Sequence, residues 1–185
     1  KHIIINDSDY SIYAFWHSVL NNSDILCEKI RNTPVTIEEW KKQREVQKDK
    51  ENCELLELGF STFFLNRTNR SGIIKGGVIG GNNQSGEYKL DCRYNTEELI
   101  KRIERIAKHR ENISLYNKDA LDLLDMDFIH NYNPHNMLIY FDPPYYVKGH
   151  YLYTKYYKKN HHKIVCEKIK SLNNINWIVS YDDAE

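Results

Sequence analysis

The sequence predicts an α/β fold with a mainly parallel sheet. Residues 137–141 (Met-Leu-Ile-Tyr-Phe) form a hydrophobic run that does not alternate with polar residues. Such a run is typical of a strand buried on both faces, as in a parallel sheet. The predicted element order is strand, long helical insert, strand, helix, strand, helix, strand, which favours parallel pairing with helical connections. A chain of 185 residues is long enough to bury one substantial core.

The first predicted strand is residues 2–5, and the acid Asp7 follows it. An acid at the end of a Rossmann-type strand commonly binds ribose hydroxyls. Asp7, Ser8 or Asp9 could instead cap the helix that follows, because their side chains accept from backbone N–H groups. The residues alone leave these two alternatives open.

Three helical stretches come next. Residues 10–31 carry apolar side chains at helical spacing, which predicts one helix. Residues 36–39 (Thr-Ile-Glu-Glu) resemble a capping box that begins a charged helix to about Lys50, with a solvated surface expected. Residues 53–66 are dense in Leu and Phe, which predicts a mostly buried helix.

A glycine-rich segment follows, in which six of the eight glycines lie between Gly72 and Gly86. It lacks the Gly-Lys-Ser/Thr ending of a P-loop. Its cations Arg67, Arg70 and Lys75 suit phosphate contact beside a closely approaching backbone. The alternative is an ordinary flexible connection.

The second half of the chain predicts strands at 113–117 and 176–180 and helices at 95–110, 121–125 and 164–172. Asn95 is predicted to cap the first of these helices, whose basic residues are expected in solvent. Asp119 either caps the helix at 121–125 or contacts a cofactor. Tyr153 and Lys155 lie where tyrosines and lysines interleave, which suits base stacking and phosphate neutralisation.

The strand at 137–141 runs into Asp142-Pro143-Pro144-Tyr145. Pro143 and Pro144 lack amide hydrogens, and Pro143 moves Asp142 out of the α region, so a stiff turn is predicted. In open α/β sheets ligands bind at the carboxyl ends of strands. The turn offers a carboxylate, proline carbonyls and an aromatic face, although a simple surface turn is the alternative.

This motif after a hydrophobic strand resembles the catalytic motif of amino-group methyltransferases, and its acidic first residue resembles the Dam-like DNA adenine-N6 class. The resemblance implies a Rossmann-like S-adenosylmethionine-dependent methyltransferase fold with a helical and loop insert for DNA recognition. It makes Asp142, Pro143, Pro144 and Tyr145 catalytic. Asp142 and the Pro143 carbonyl would accept the amino hydrogens of a flipped-out adenine, and Tyr145 would stack on its ring.

The same resemblance implies S-adenosylmethionine as cofactor and double-stranded DNA as partner. The implied cofactor contacts are Asp7, Asp119, Ala120 and Asp142. The implied DNA-facing residues are Asn66, Arg67, Arg70, Lys75, Arg93, Asn95, Tyr153 and Lys155.

The resemblance also suggests a division of the chain. Residues 1–32 and 112–185 would form the catalytic core, 33–95 the target-recognition insert and 96–111 a connecting helix. Such methylases carry a glycine loop on a strand before the one at residues 2–5. The chain is therefore expected to be a fragment, incomplete at both ends.

Composition excludes several other classes. No apolar run approaches the length of a membrane span, and no signal segment opens the chain. The four scattered cysteines and the adjacent His161 and His162 lack metal-ligand spacing, so no metal site is expected. Reduced thiols favour a cytoplasmic enzyme. The methyltransferase resemblance implies a restriction endonuclease in the same system as a candidate partner. The net charge of +0 gives no global attraction to nucleic acid.

Four rival functions from two classes stay open. An RNA adenine, a cytosine N4 or a protein amide could be the methyl acceptor. The acid at position 142 argues against cytosine, and the insert argues against a protein substrate. A catalytically incomplete DNA-binding fragment is a rival of another class.

Overall fold

A computed structural model describes residues 1–125, 132–146 and 159–183. The chain divides into two compact units, Lys1–Asn117 and Lys118–Glu185. Among the described residues, unit 1 contains one pair of strands and most of the helices, and unit 2 contains a second pair of strands. This division follows packing, and the functional division at residues 32, 95 and 111 stays a prediction.

Unit 1 begins with a strand and closes with the strand that pairs with it. In chain order its elements are β1 (Ile3–Asn6), α1 (Tyr10–Asn21), α2 (Ser23–Asn32), α3 (Ile37–Lys48), α4 (Leu55–Thr68), α5 (Thr96–Ala107) and β2 (Ile113–Tyr116). Strands β1 and β2 pair in parallel, with Ile3 opposite Ile113 and Asn6 opposite Tyr116. Both strands and their parallel direction confirm the sequence prediction.

The single helix predicted over residues 10–31 is wrong, since two helices occupy this stretch. Asn22 separates them with φ −137° and ψ 33°. Its N–H still bonds the Ser18 carbonyl, so the break occurs after the last bond of α1. Asn and Ser side chains compete for backbone hydrogen bonds, which makes an Asn-Asn-Ser sequence a weak point in a helix.

Helix α4 is the centre of the unit 1 core. It packs against α1 and α3, and nine of its residues are buried. Its contact with α1 depends on Gly59: an added Cβ would lie 2.3 Å from Ser18 Oγ and 2.5 Å from the Ala14 carbonyl oxygen. The core also includes residues of α2 and α5, among them Leu26 and Ile103. Helices assigned by sequence to different functional segments therefore share one core.

Helix α3 is less solvated than predicted, because one of its faces packs on α4. Gln43 is 2% exposed. The Gln47 amide donates to Ser61 Oγ and Thr62 Oγ1, both at 3.1 Å. The predicted cap is confirmed, because Thr36 Oγ1 accepts from Glu39 N at 3.2 Å. Because the face of α3 that contacts α4 is polar, hydrophobic periodicity does not predict this contact.

Unit 2 contains α6 (Ala120–Leu124), β3 (Leu138–Phe141), α7 (Lys159–Lys170) and β4 (Asn176–Val179). Strands β3 and β4 pair in parallel, with Leu138 opposite Asn176 and Phe141 opposite Val179. The parallel direction agrees with the sequence prediction. The predicted burial of both strands is wrong, since Leu138 and Tyr140 are 63% and 62% exposed and Ile178 is 52% exposed.

The exposure pattern corrects the prediction that β3 is buried on both faces. Side chains alternate along a strand, and in β3 the two exposed residues alternate with half-buried Ile139 and Phe141. In the part of the chain that the structure describes, β3 has one neighbouring strand, β4. The continuous apolar run of β3 therefore does not indicate that both faces of the strand are covered.

All four cysteines are free thiols. Among the described residues, no helix combines the length and apolar character that crossing a bilayer requires.

Candidate active site and cationic insert

The turn after β3 presents an exposed carboxylate beside a buried proline. Asp142 is exposed, Pro143 is buried, and Pro144 and Tyr145 are half-buried. Within residues 1–125, 132–146 and 159–183, no backbone N–H donates to the Pro143 carbonyl. The turn therefore offers a solvent-facing acceptor, a carbonyl and an aromatic ring in four consecutive residues.

Two hydrogen bonds fix this turn to the end of β4. Ser180 N donates to the Phe141 carbonyl at 2.9 Å, which extends the parallel ladder by one bond. Tyr146 N donates to Asp182 Oδ1 at 2.7 Å. The segment from Asp142 to Tyr145 is thus held at both ends by residues that follow β4.

An aromatic cluster lies beside the second of these bonds. The Tyr146 ring meets the His162 ring edge-on at 5.1 Å. His162 is buried and its Nδ1 is hydrogen-bonded to the Tyr181 hydroxyl. Burial raises the pKa of Tyr181, and the neighbouring Asp182, Cys166 and Tyr146 add to the effect. Sequence reasoning missed Asp182, His162 and Tyr181 as supports of the turn; the one available signal was the Tyr-Asp pair just after the last strand.

Asp7 lies at the carboxyl ends of β1 and β2. Its carboxylate accepts from Asp9 N at 2.8 Å, and its carbonyl accepts from Asn117 Nδ2 at 2.7 Å. The N-cap of α1 is Asp9, whose side chain accepts from Ser11 N at 3.0 Å. The capping alternative therefore belongs to Asp9, and the ribose contact of Asp7 stays a prediction.

Asp119 caps α6, because its carboxylate accepts from Leu121 N at 2.9 Å. The capping alternative is thereby confirmed for this residue. Asp119 is exposed and Ala120 is half-buried. A carboxylate has about four acceptor positions, so capping one N–H leaves Asp119 able to accept from a ligand.

The predicted DNA-facing residues Asn66, Arg67, Arg93 and Asn95 have hydrogen-bond partners inside unit 1. Asn66 Nδ2 donates to the Gly72 carbonyl at 2.9 Å, while Asn66 Oδ1 accepts from Arg67. Burial, followed by the charges of Arg93 and Arg102, lowers the pKa of Arg67. Asn95 caps α5 by accepting from Glu98 N at 3.2 Å, as predicted.

The predicted DNA-facing side chains of Arg70, Lys75 and Arg93 are exposed, and two further predicted contacts lie outside the described residues. Arg93 is exposed, and its Nη1 donates to the Asn69 carbonyl at 3.4 Å. Arg70 and Lys75 are exposed and line one open pocket of about 430 Å³. Tyr153 and Lys155 lie outside the described residues.

The glycine-rich segment is held by many internal hydrogen bonds, which argues against the alternative of an ordinary flexible connection. Asn69 and Val78 form an antiparallel bridge, flanked by Arg70 N to the Gly77 carbonyl at 3.0 Å. The Gln84 amide donates to the Ile79 and Gly81 carbonyls, both at 2.7 Å. Gly72, Gly80 and Gly81 adopt positive φ, a region that glycine enters without strain.

A family-level sequence model of D12 class N6 adenine-specific DNA methyltransferases matches residues 1–185. The chain belongs to this D12 class. Its activity is methylation of adenine N6 in DNA, and the family match agrees with the Dam-like resemblance carried by Asp142–Tyr145. Among curated proteins, a search found no match to the chain.

Two carboxylates of this D12 methyltransferase, one in each unit, each have the acceptor chemistry that the family's cofactor requires. S-adenosylmethionine presents ribose hydroxyls and an adenine amino group, all of which are hydrogen-bond donors. Asp7 directly follows the parallel strand β1, and Asp119 directly precedes helix α6. Carboxylates at such positions accept hydrogen bonds from hydroxyl and amino groups.

Proposed function

We propose that the chain is a site-specific DNA methyltransferase that binds a flipped-out adenine at the Asp142–Tyr145 turn. The observation that carries this assignment is the exposed Asp142 carboxylate, next to the Pro143 carbonyl and the half-buried Tyr145 ring. A base must leave the helix stack before its amino group can be reached. An exposed, stiff turn can receive such a base without rearranging a core.

The chemistry follows from the weak nucleophilicity of an adenine amino group, whose lone pair is conjugated with the ring. Asp142 accepts one N6 hydrogen and the Pro143 carbonyl accepts the other. Two fixed acceptors localise the lone pair on nitrogen and stabilise the positive charge that develops there. Tyr145 stacks on the ring and orients it.

S-adenosylmethionine, when bound, supplies a methyl group activated by a sulfonium centre. No strong general base is required of the chain, because the amino group becomes acidic once its nitrogen carries positive charge. The Asp142 carboxylate accepts the hydrogen bond of the N6 proton that is lost, and this proton then passes to solvent.

We further propose Asp7, Asp119, Ala120 and Asp142 as the residues that contact the cofactor. We also propose that the catalytic core contains a full Rossmann-like sheet. Its support is the parallel direction of both strand pairs together with the family's methyltransferase activity.

Double-stranded DNA is the proposed partner, with residues 33–95 as the target-recognition insert and residues 1–32 and 112–185 as the catalytic core. Asn66, Arg67, Arg93 and Asn95 shape or face the DNA side of the insert, and Tyr153 and Lys155 stay proposed contacts. A cytoplasmic location and a restriction endonuclease in the same system are proposals that rest on the DNA substrate.

The deciding experiment is transfer of a labelled methyl group from S-adenosylmethionine to four acceptors at equal concentration. These are duplex DNA containing adenine, duplex DNA lacking adenine, single-stranded RNA and an unfolded protein. The expected result is label in the first acceptor alone, at adenine N6 after nucleoside digestion. Label in RNA or protein instead, or duplex binding without any transfer, would assign a rival function.

A further inference from the structure

The charged helix α3 contacts the glycine-rich segment, although its sequence predicted only a solvated surface. Arg44 Nη1 donates to the Gly76 carbonyl at 2.9 Å. The Arg44 guanidinium carbon lies 5.4 Å from the Trp40 ring centroid. Arg44 is therefore held between an aromatic face and a backbone carbonyl, and its charge has a fixed position.

Trp40 also sets the conformation of the loop. Trp40 Nε1 donates to Asn69 Oδ1 at 2.7 Å. The Asn69 amide in turn donates to the Ile73 and Ile74 carbonyls, both at 2.8 Å. Asn69 is fully buried, so the polar atoms of its side chain depend on these partners. A continuous chain of hydrogen bonds thus runs from Trp40, which lines the pocket, to Asn69 and Ile74, the sequence neighbours of the lining residues Arg70 and Lys75.

The pocket of about 430 Å³ has strongly cationic walls. Arg44, Arg70 and Lys75 line it, and none of the lining residues in the described part of the chain is acidic. Gly76 and Gly77 form part of the wall, and an added Cβ at Gly77 would meet no atom within 4 Å. Backbone without side chains lets an anion approach peptide groups closely.

We propose that this pocket binds a phosphodiester group of the DNA backbone, with Arg44 as the preorganised cation. Arg70 and Lys75 complete the site from the solvent side. The proposal rests on the proposed function, since it makes duplex DNA the source of the phosphate. It adds Trp40 and Arg44, on α3, to the residues that engage the substrate. A phosphate contact positions the duplex without reading its sequence.

The test measures duplex binding by fluorescence anisotropy over a range of salt concentrations. The first variant is Arg70→Gln/Lys75→Gln, which removes two exposed charges. Its matched control is Lys101→Gln/Lys108→Gln, which removes two exposed charges from α5 and its C-terminal end. Arg44→Gln is a second, independent variant. Each phosphate neutralised contributes a slope of about −0.9 in log K against log salt.

The expected result is a slope that is shallower by about 1 for Arg70→Gln/Lys75→Gln and for Arg44→Gln. The control keeps the parent slope. The weakening is the same for duplexes of different sequence. Equal slopes in parent and pocket variants, or an equal loss in the control, would overturn the proposal.

A second measurement separates DNA from free phosphate. Inorganic phosphate is titrated into the full chain and followed by ³¹P NMR. Phosphate binding that disappears in the pocket variants, while their duplex salt slope is unchanged, would overturn the assignment to DNA. A pocket-dependent slope in a chain that methylates no acceptor would instead support the site and contradict the proposed function.

Discussion

Tyr146 and Asp182 connect the ends of two parallel strands, because the Tyr146 N–H donates to the Asp182 carboxylate at 2.7 Å. Tyr146 directly follows the Asp142–Tyr145 turn, and Asp182 follows β4. The bond therefore fixes the exit of the turn, as Ser180 N fixes its entry through the Phe141 carbonyl.

Asp182→Ala should lower kcat about 10- to 100-fold, because small displacements of catalytic groups have effects of this size. The KM for duplex DNA should stay within about twofold, since phosphate contacts elsewhere are retained. Asp182→Asn should recover most of the loss, because an amide oxygen still accepts from Tyr146 N–H. Steady-state methylation kinetics measure both quantities.

The control for this prediction is Asp183→Ala, which changes the exposed neighbouring acid. A parent-like kcat in Asp182→Ala, or a matching loss in Asp183→Ala, would show that the hydrogen bond does not position the turn.

Gly59→Ala should destabilise the protein by about 1–3 kcal/mol, as overpacking of cores generally does. The added methyl would lie 2.3 Å from Ser18 Oγ and 2.5 Å from the α1 backbone at Ala14. Urea unfolding measures the change. Gly77→Ala is the matched control, because an added Cβ there meets nothing within 4 Å. Equal stability of the two variants would contradict the close α1–α4 contact.

The acid stability of α3 should depend on Thr36. A hydrogen bond from its own backbone N–H, followed by one from the Thr36 hydroxyl, lowers the pKa of Glu38 from the ordinary value of 4.5. A depressed pKa means that the ionised group stabilises the fold above pH 4.5. That contribution is lost as the pH falls through the folded-state value.

Thr36→Ala should therefore raise the pKa of Glu38 toward 4.5 and weaken the loss of stability on acidification. Losing the cap should cost about 1 kcal/mol at neutral pH. NMR titration of Glu38 and urea unfolding from pH 3 to 7 measure the two effects. Thr36→Ser keeps the hydroxyl and should behave like the parent; an unchanged Glu38 pKa in Thr36→Ala would contradict the assigned cause.

Local sequence signals predicted much of this fold for physical reasons. The strands at β1 and β2 and the caps at Thr36 and Asn95 depend on neighbouring residues, and each was confirmed. The Asp142 turn was placed correctly because proline restricts its own and the preceding residue regardless of tertiary context.

The unpredicted features depend on partners far apart in sequence. Trp40 meets Asn69 and Arg44 meets Gly76 across 29 and 32 positions, and Tyr146 meets Asp182 across 36. Residues near Trp40 and Arg44 in the chain do not indicate these contacts, and the only local signal for the third was the Tyr-Asp pair after β4. The exposure of Leu138 and Tyr140 was missed for a related reason, since an apolar run does not state which of its faces is covered.

The most direct test of the central claim is methyl transfer to an adenine-containing duplex by Asp142→Ala. Because Asp142 is exposed, the variant should unfold at the same urea concentration as the parent. Its methyl transfer at saturating duplex should fall about 100-fold or more, since removing one preorganised hydrogen-bonding group at a reacting centre has effects of this size. Transfer at the parent rate by the folded variant would contradict the account.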